Sequence, residues 1–305
     1  MENTIDGYVE EALTSYTVLT VIALLLGATI VPAVLSAPVT NDGTIAAVSI
    51  EGPISGPSAD NVIQELRDVR TDGTIDAVVL RVDSGGGGVA ASEAQYRAVK
   101  RLAAEKPVVT SVRGIAASGA YYTVLPSEEI YVTPGGTVGS VGVRALVPRQ
   151  SGAPQSLTTG PDKATFDRTD IQTRVETLKN SFIQSVENER GDRITLDRTE
   201  LASAKTYGGA TAVENGMADE IGGLETALAA AGDLAGVNDY DVEYRSTSAE
   251  IPLLLGGGGA NSTTTATAAG PGVTPPGIER PQYLMMWGTL ETAADYQEVR
   301  SDGSQ

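Results

Sequence analysis

Apolar runs with strand character alternate with segments of helical periodicity in the part of the chain that follows residue 42. Three runs rich in apolar and β-branched residues have the composition of buried strands: 43–54, 75–84 and 107–114. Two segments between them carry apolar residues at helical spacing: 58–73 and 91–106. Strands that alternate with helices in this way predict an α/β fold built on a parallel sheet.

The same pattern continues towards the C-terminus and predicts one domain over residues 43–251. A long helical run occupies 170–189, and a shorter helix–strand portion follows it. Residues 252–280 are low-complexity Gly, Thr, Ala and Pro, which is typical of a flexible linker. The tail at 281–305 contains the apolar segment QYLMMWG, residues 282–288. We expect this segment to form a short strand that packs on the core, on a neighbouring subunit or near the functional cleft.

An apolar stretch near the N-terminus is long enough to cross a membrane. No charged residue occurs between Glu11 and Asp42, and residues 16–37 are almost wholly apolar, which predicts a transmembrane helix. A cleaved signal peptide is the alternative, but the acidic leader at 1–15 has no Lys or Arg, unlike a signal sequence. Orientation cannot be predicted from charge, because the first basic residue after the span is Arg67.

Neither histidine nor cysteine occurs in the 305 residues. Disulfides, thiol catalysis and thiolate metal sites are therefore excluded, as are the usual zinc sites and Ser-His-Asp arrangements. The acidic residues show no calcium-loop spacing, so we expect neither a metal nor a cofactor.

The chain is strongly acidic, with a net charge of −18 at pH 7. Nucleic acid is excluded as a partner, because its binding requires a basic surface. Acid excess, scarce lysine and abundant Gly, Ala and Thr favour a surface adapted to high salt, as in a halophilic archaeon. An ordinary acidic protein is the alternative.

Two short motifs could carry chemistry. Consecutive glycines at 85–88 stand between a predicted strand and a predicted helix, where free backbone amides can bind an anion. They match neither a dinucleotide-binding GxGxxG pattern nor a phosphate loop, so they favour an oxyanion hole, with a flexible turn as the alternative. Ser118 is flanked by small residues in AASGA, which suits a tight turn that presents a hydroxyl. A nucleophilic Ser118 would need a base other than histidine.

The order of these motifs resembles the signal peptide peptidase A (SppA, protease IV) family. The resemblance covers about residues 45–224 and includes the order strand–SGGGGV–helix–strand–AASGAYY–helix, followed by EEIYVTPGGTVGSVGV. IEGPI at 50–54 and YGGATAVENGMADEIGG at 207–223 also match. The resemblance implies an α/β fold of the caseinolytic protease (ClpP)/crotonase type, a superhelical core of repeated β-β-α units. The apolar stretch at 16–37 predicts one transmembrane helix before this core.

The resemblance also implies a serine peptidase in which a lysine amine is the general base. Ser118 matches the nucleophile, and Ser140 matches a serine that holds the lysine amine in line, although a hydroxyl that closes a turn is an equal alternative for Ser140. Gly87 and Gly119 would donate amides to the oxyanion, and Gly86 would shape the loop.

The choice of lysine can be argued residue by residue, because the chain has only five. A lysine base needs desolvation or few neighbouring charges, so that part of it is neutral. Lys163 in TTGPDKATF matches the family's catalytic lysine. The other lysines lie on charged helical faces or at a non-catalytic position of the family: Lys100, Lys106, Lys179 and Lys205. Two residues depart from the family pattern, Thr159 in place of a serine and Gly85 in place of a proline.

These inferences predict a membrane-anchored endopeptidase that cleaves signal-peptide remnants or other membrane-proximal peptides through an acyl-enzyme. The resemblance implies a homo-oligomeric ring at the cell membrane, with the lipid bilayer contacted by the N-terminal helix and the catalytic domain on the extracytoplasmic side. An inactive membrane scaffold and a crotonase-like acyl-CoA enzyme are the alternatives. The scaffold would assemble without covalent serine chemistry, and the acyl-CoA enzyme would bind coenzyme A without depending on Ser118.

Overall fold

The computed structural model describes Thr20, residues 42–147, Thr159, residues 167–247 and residues 282–288. The chain divides into two units, Met1–Asn41 and Asp42–Gln305, and the second is described below. Within the described residues, no helix combines the length and apolar character needed to cross a bilayer. The predicted anchor lies outside them apart from Thr20, and the predicted linker lies outside them entirely.

The strands and helices are numbered in chain order over the described residues. The strands are β1 (Gly43–Glu51), β2 (Ala77–Ser84), β3 (Gly86–Gly88), β4 (Val108–Ala117), β5 (Glu129–Val132), β6 (Thr137–Gly139), β7 (Arg144–Leu146), β8 (Thr206–Gly208), β9 (Glu220–Ile221), β10 (Tyr240–Arg245) and β11 (Gln282–Met286). The helices are α1 (Gly56–Thr71), α2 (Val89–Ala103), α3 (Gly119–Val124), α4 (Arg168–Arg190), α5 (Arg198–Ala202), α6 (Gly209–Glu214) and α7 (Leu224–Ala235).

A parallel sheet in the order β10-β1-β2-β4-β5-β9 forms the centre of this unit. Its middle strands are apolar at consecutive positions because both of their faces are covered. In β1, for example, all of residues 45–48 are fully buried. The sequence-based prediction of an α/β fold with a parallel sheet is therefore confirmed.

Helices cover both faces of the sheet. One face packs against α1, α2, α3 and the middle of α4. On this side Tyr122 stacks on Tyr96 with ring centroids 4.7 Å apart and meets the edge of Phe182 at 4.9 Å, which ties α3 to α2 and α4. The opposite face packs against α7 through Ala227, Leu228 and Ala231.

Two further groups of paired strands bring distant segments beside the carboxyl end of β4. Strand β6 runs parallel to the last residues of β4 and antiparallel to β8. A separate three-stranded sheet has the order β3-β11-β7, with β11 antiparallel to both neighbours. The glycine run, predicted as a loop, is therefore a short strand, and the QYLMMWG segment forms the strand that was expected there. Its partners are the glycine strand and β7.

Candidate active site

Ser118 occupies a sharp turn between β4 and α3. Its backbone has φ 53° and ψ −117°, a left-handed conformation that residues with a Cβ rarely adopt. Two hydrogen bonds maintain this turn, from the Ser118 N–H to the carbonyl of Gly139 at 2.7 Å and from the Tyr122 N–H to the carbonyl of Ser118 at 2.9 Å. Such a conformation costs about 1–3 kcal/mol, and strain of this kind is common at functional sites.

Replacing Ser118 by glycine is expected to stabilise the protein while removing the hydroxyl of the candidate site. Glycine adopts positive φ without the steric cost of a Cβ, so the free energy of unfolding should rise by about 1 kcal/mol. Chemical denaturation of wild type, Ser118→Gly and Ser118→Ala measures the effect, with alanine as the control that keeps the Cβ. Equal stability of the glycine and alanine variants would contradict the strain argument.

Ser140 is brought next to the Ser118 turn by the end of β6. Gly139, whose carbonyl accepts the Ser118 N–H, directly precedes it. Ser140 also has a positive φ, 58°, and its N–H donates to the carbonyl of Lys205 at 2.7 Å. Both serines are buried, with relative exposures of 1% and 7%. The Gly139 carbonyl, in the peptide bond that precedes Ser140, therefore links two buried serines that both have strained backbones.

The glycine strand β3 is held beside this turn by the segment that follows β1. The Ile54 N–H donates to the Gly86 carbonyl at 3.0 Å, and the Gly88 N–H donates to the Ile54 carbonyl at 2.9 Å. A Cβ on Gly87 would collide with the backbone of Ile54, so only glycine permits this approach. Ser84, which sequence reasoning did not single out, accepts the Gly86 N–H at 3.2 Å.

Gly86 also lies directly against the Ser118 turn. A Cβ built on Gly86, which has φ 90°, would lie 2.5 Å from the Gly119 nitrogen and 2.9 Å from the Ala117 carbonyl oxygen. The structure thus brings together Gly86, Gly87, Gly119 and Ser118, four of the residues predicted for the site. Backbone amides grouped beside a serine hydroxyl are the arrangement that stabilises an oxyanion in acyl transfer.

A hydroxyl missed by sequence reasoning lies behind these amides. Ser92 on α2 is fully buried, and a Cβ on Gly119 would collide with its Oγ. This Oγ has no hydrogen-bond partner among the described residues. The sequence around Ser92 does not predict this position, because the contact with Gly119 depends on tertiary packing.

Four of the five lysines lie within the described residues, and each is either paired with a hydrogen-bond acceptor or exposed. Lys100 pairs with Glu189 at 2.5 Å, and this hydrogen bond raises the pKa of Lys100. Lys179 pairs with Glu176 at 2.5 Å, and Lys106 donates to the backbone carbonyls of Asp72 and Ile75. Lys205 is exposed. The sequence predicts that Lys106 lies on the helix that follows the glycine run. This prediction is wrong, because that helix, α2, ends at Ala103. Lys163 lies outside the described residues.

The tyrosines after the Ser118 turn have packing roles. The Tyr121 hydroxyl donates to the Met217 carbonyl at 3.0 Å, and burial raises the pKa of Tyr121 above its ordinary value. Burial also raises the pKa of Tyr122. Both phenols are therefore neutral near pH 7 and are unsuited to act as a general base for the Ser118 hydroxyl. The described residues contain no cluster of three acidic side chains that could hold a metal ion.

Several known proteins are similar to this chain in sequence. Residues 100–238 match the model of peptidase family S49. This match includes Ser118, Ser140 and Lys163. Protease 4 of Salmonella typhi is 30% identical over 235 residues, which make up 69% of this chain and 38% of that protein. The chloroplastic serine protease SPPA of Arabidopsis thaliana is 29% identical over 210 residues, 62% of this chain and 31% of that protein.

The chain thus spans 38% and 31% of the lengths of these two curated relatives. The match to family S49 and the relatives named as proteases support a peptidase. Among solved structures, a ClpP1 variant from Listeria monocytogenes aligns with a TM-score of 0.45 and 15% identity, covering 60% of this chain and 94% of that one.

Proposed function

We propose that this chain is a serine endopeptidase of the SppA type in which Ser118 and Lys163 form the catalytic dyad. One observation carries the proposal: Ser118 is held in a strained turn against Gly86 and Gly119, beside the glycine strand that contains Gly87. The match to family S49 supports the same chemistry.

In the proposed reaction, Ser118 Oγ attacks a peptide carbonyl carbon while its proton passes to the neutral amine of Lys163. The amides of Gly87 and Gly119 stabilise the negative oxygen of the tetrahedral intermediate. The C–N bond then breaks, the leaving amine takes the proton from Lys163, and an acyl-enzyme ester is left on Ser118. Lys163 next removes a proton from water, which hydrolyses the ester. Ser140 holds the amine of Lys163 in line with the hydroxyl.

The setting of this activity is proposed from the sequence. An anchor at residues 16–37 would place the catalytic domain at the cell membrane, on the extracytoplasmic side, where it would meet signal-peptide remnants and other membrane-proximal peptides. Anchoring would raise the local concentration of such substrates. Assembly as a homo-oligomeric ring and a surface adapted to high salt belong to the same proposal.

Covalent labelling tests the proposed nucleophile. The full-length protein in detergent and high salt is treated with a fluorophosphonate probe, and the labelled peptide is identified by mass spectrometry. Wild type should be labelled on Ser118 and should cleave a fluorogenic apolar peptide. Ser118→Ala should do neither while it keeps the wild-type melting temperature. Cleavage that persists in Ser118→Ala would refute the proposal, and a folded wild type that never labels or cleaves would favour the inactive scaffold.

A further inference from the structure

The C-terminal strand β11 lies where an extended peptide would reach the candidate nucleophile. It is the middle strand between β3, which carries the oxyanion glycines, and β7, which follows Ser140. Residues 248–281 separate it from the preceding described part of the chain. Addition of a strand between two exposed strand edges is a common way for proteins to bind peptides. This groove between β3 and β7 already holds such a strand, and the strand comes from the same chain.

The register of β11 places one particular carbonyl at the oxyanion amides. The Trp287 N–H donates to the Gly85 carbonyl at 2.9 Å, and two residues earlier Met285 lies opposite Gly87. Hydrogen-bonded pairs alternate along an antiparallel ladder, so Gly87 and Met285 form such a pair, in which the Gly87 N–H donates to the Met285 carbonyl. Gly87 is one of the two amides assigned to the oxyanion.

The same carbonyl is also close to the second amide donor. A Cβ on Gly119 would lie 2.9 Å from the Met285 oxygen, and a Cβ on Gly86 would collide with it. The Met285 oxygen therefore lies among Gly86, Gly87 and Gly119, next to Ser118. In a peptide bound in this register, the bond presented to the nucleophile is the one that follows the residue at the position of Met285.

The side chains of β11 show what the groove accepts. Met285 and Leu284 are 3% and 2% exposed, and Met285 is part of the main hydrophobic core. Tyr283 lies under the guanidinium of Arg174, 5.0 Å from the ring centroid. Beyond the Met285–Met286 bond, Arg144 Nη1 donates to the Gly288 carbonyl at 3.1 Å. The site for the residue that supplies the carbonyl thus holds a long, unbranched, apolar side chain.

We propose that residues 283–287 occupy the peptide groove as a substrate-like strand, with the Met285–Met286 bond at the position of cleavage, and that they compete with peptide substrates. The description of this strand as substrate-like rests on the proposed function. Occupancy of the groove by the strand can be measured without catalysis. It adds a specificity: a methionine-like residue is preferred on the acyl side of the bond. A tethered strand acts at an effective concentration on the order of 1 mM, so a free peptide must outcompete it.

Peptide binding to variants of the full-length chain tests the occupancy. All proteins carry Ser118→Ala, which prevents turnover, and the probe is a fluorescein-labelled peptide with the sequence QYLMMWG. Met285→Asp and, separately, Leu284→Asp introduce a charge at a buried position of β11 and should release the strand. Each should bind the probe at least about 10-fold more tightly than the Ser118→Ala parent does. Leu234→Asp, a matched change at a residue that is 42% exposed on α7, should leave the affinity at the parent value.

The outcomes separate this inference from the proposed function. Thermal unfolding first establishes which β11 variants are folded, and two variants are made so that one misfolded protein does not decide the test. Equal affinity of the parent and the folded variants would overturn the inference, as would failure of every folded variant to bind the probe. Binding that follows the expected order, together with no cleavage by proteins that keep Ser118, would refute the peptidase and leave the occupancy standing.

Discussion

Replacing Lys163 by alanine is expected to lower the rate of peptide cleavage by about 10³-fold or more, with the fold intact. The size follows from the loss of the only general base in the proposed reaction, since Ser118 without a base is a weak nucleophile. Histidine is absent, and the phenols near the turn are neutral. Cleavage of a fluorogenic apolar peptide under saturating conditions gives the rate.

Lys205→Ala is the matched control for this experiment. Lys205 lies beside Ser140, but it contacts that residue through its backbone carbonyl, which alanine retains. Its side chain is exposed. We therefore expect this variant to keep its activity within about 2-fold of wild type. Full activity of Lys163→Ala combined with loss of activity in Lys205→Ala would identify Lys205, and not Lys163, as the general base.

The second large effect concerns stability. Replacing Asp219 by alanine is expected to lower the free energy of unfolding by about 3–5 kcal/mol, because it leaves a buried guanidinium without its carboxylate. The side chain of Arg190 is fully buried and binds Asp219 through two hydrogen bonds of 2.9 Å. Asp219 also accepts the N–H of Ile130 at 2.7 Å, which joins the end of α4 to β5 of the central sheet.

Two comparison variants test whether the loss of stability in Asp219→Ala comes from the buried, unpaired charge. Arg190→Met removes the buried charge itself, so the loss should be smaller, about 1–3 kcal/mol, mainly from the unpaired carbonyl of Gly216. Arg198→Met breaks a half-exposed pair with Glu187 and should cost about 0–1 kcal/mol. Chemical denaturation measures all three variants. An Asp219→Ala loss as small as that of Arg198→Met would contradict the buried-pair argument.

The central sheet could be predicted because its signal is local. Strands β1, β2 and β4 are continuous apolar runs with turn residues after them, and their burial on both faces requires that composition. The turn at Ser118 was also predictable, since small residues on both sides allow the backbone to reverse beside other chain segments. Its position between β4 and α3 follows from the strand–helix alternation.

The parts that sequence reasoning missed depend on partners far away in the chain. Glycine is a poor strand former, and β3 is a strand because Ile54 and β11 pair with it. Nothing near Gly87 predicts Met285 as its neighbour, so the destination of the QYLMMWG segment stayed open among three possibilities. Arg190 was likewise indistinguishable from the exposed arginines of a charged helix, because its burial depends on Asp219. The role of Lys163 remains a prediction from sequence.

The residue directly after β11 is the chain's single tryptophan. Trp287 is 48% exposed, and its backbone N–H binds Gly85 at the edge of the glycine strand. Intrinsic indole fluorescence therefore originates from one residue beside the candidate active site, without any engineered label. Emission wavelength and quenching would report whether β11 is docked or released, in real time and in the unmodified protein.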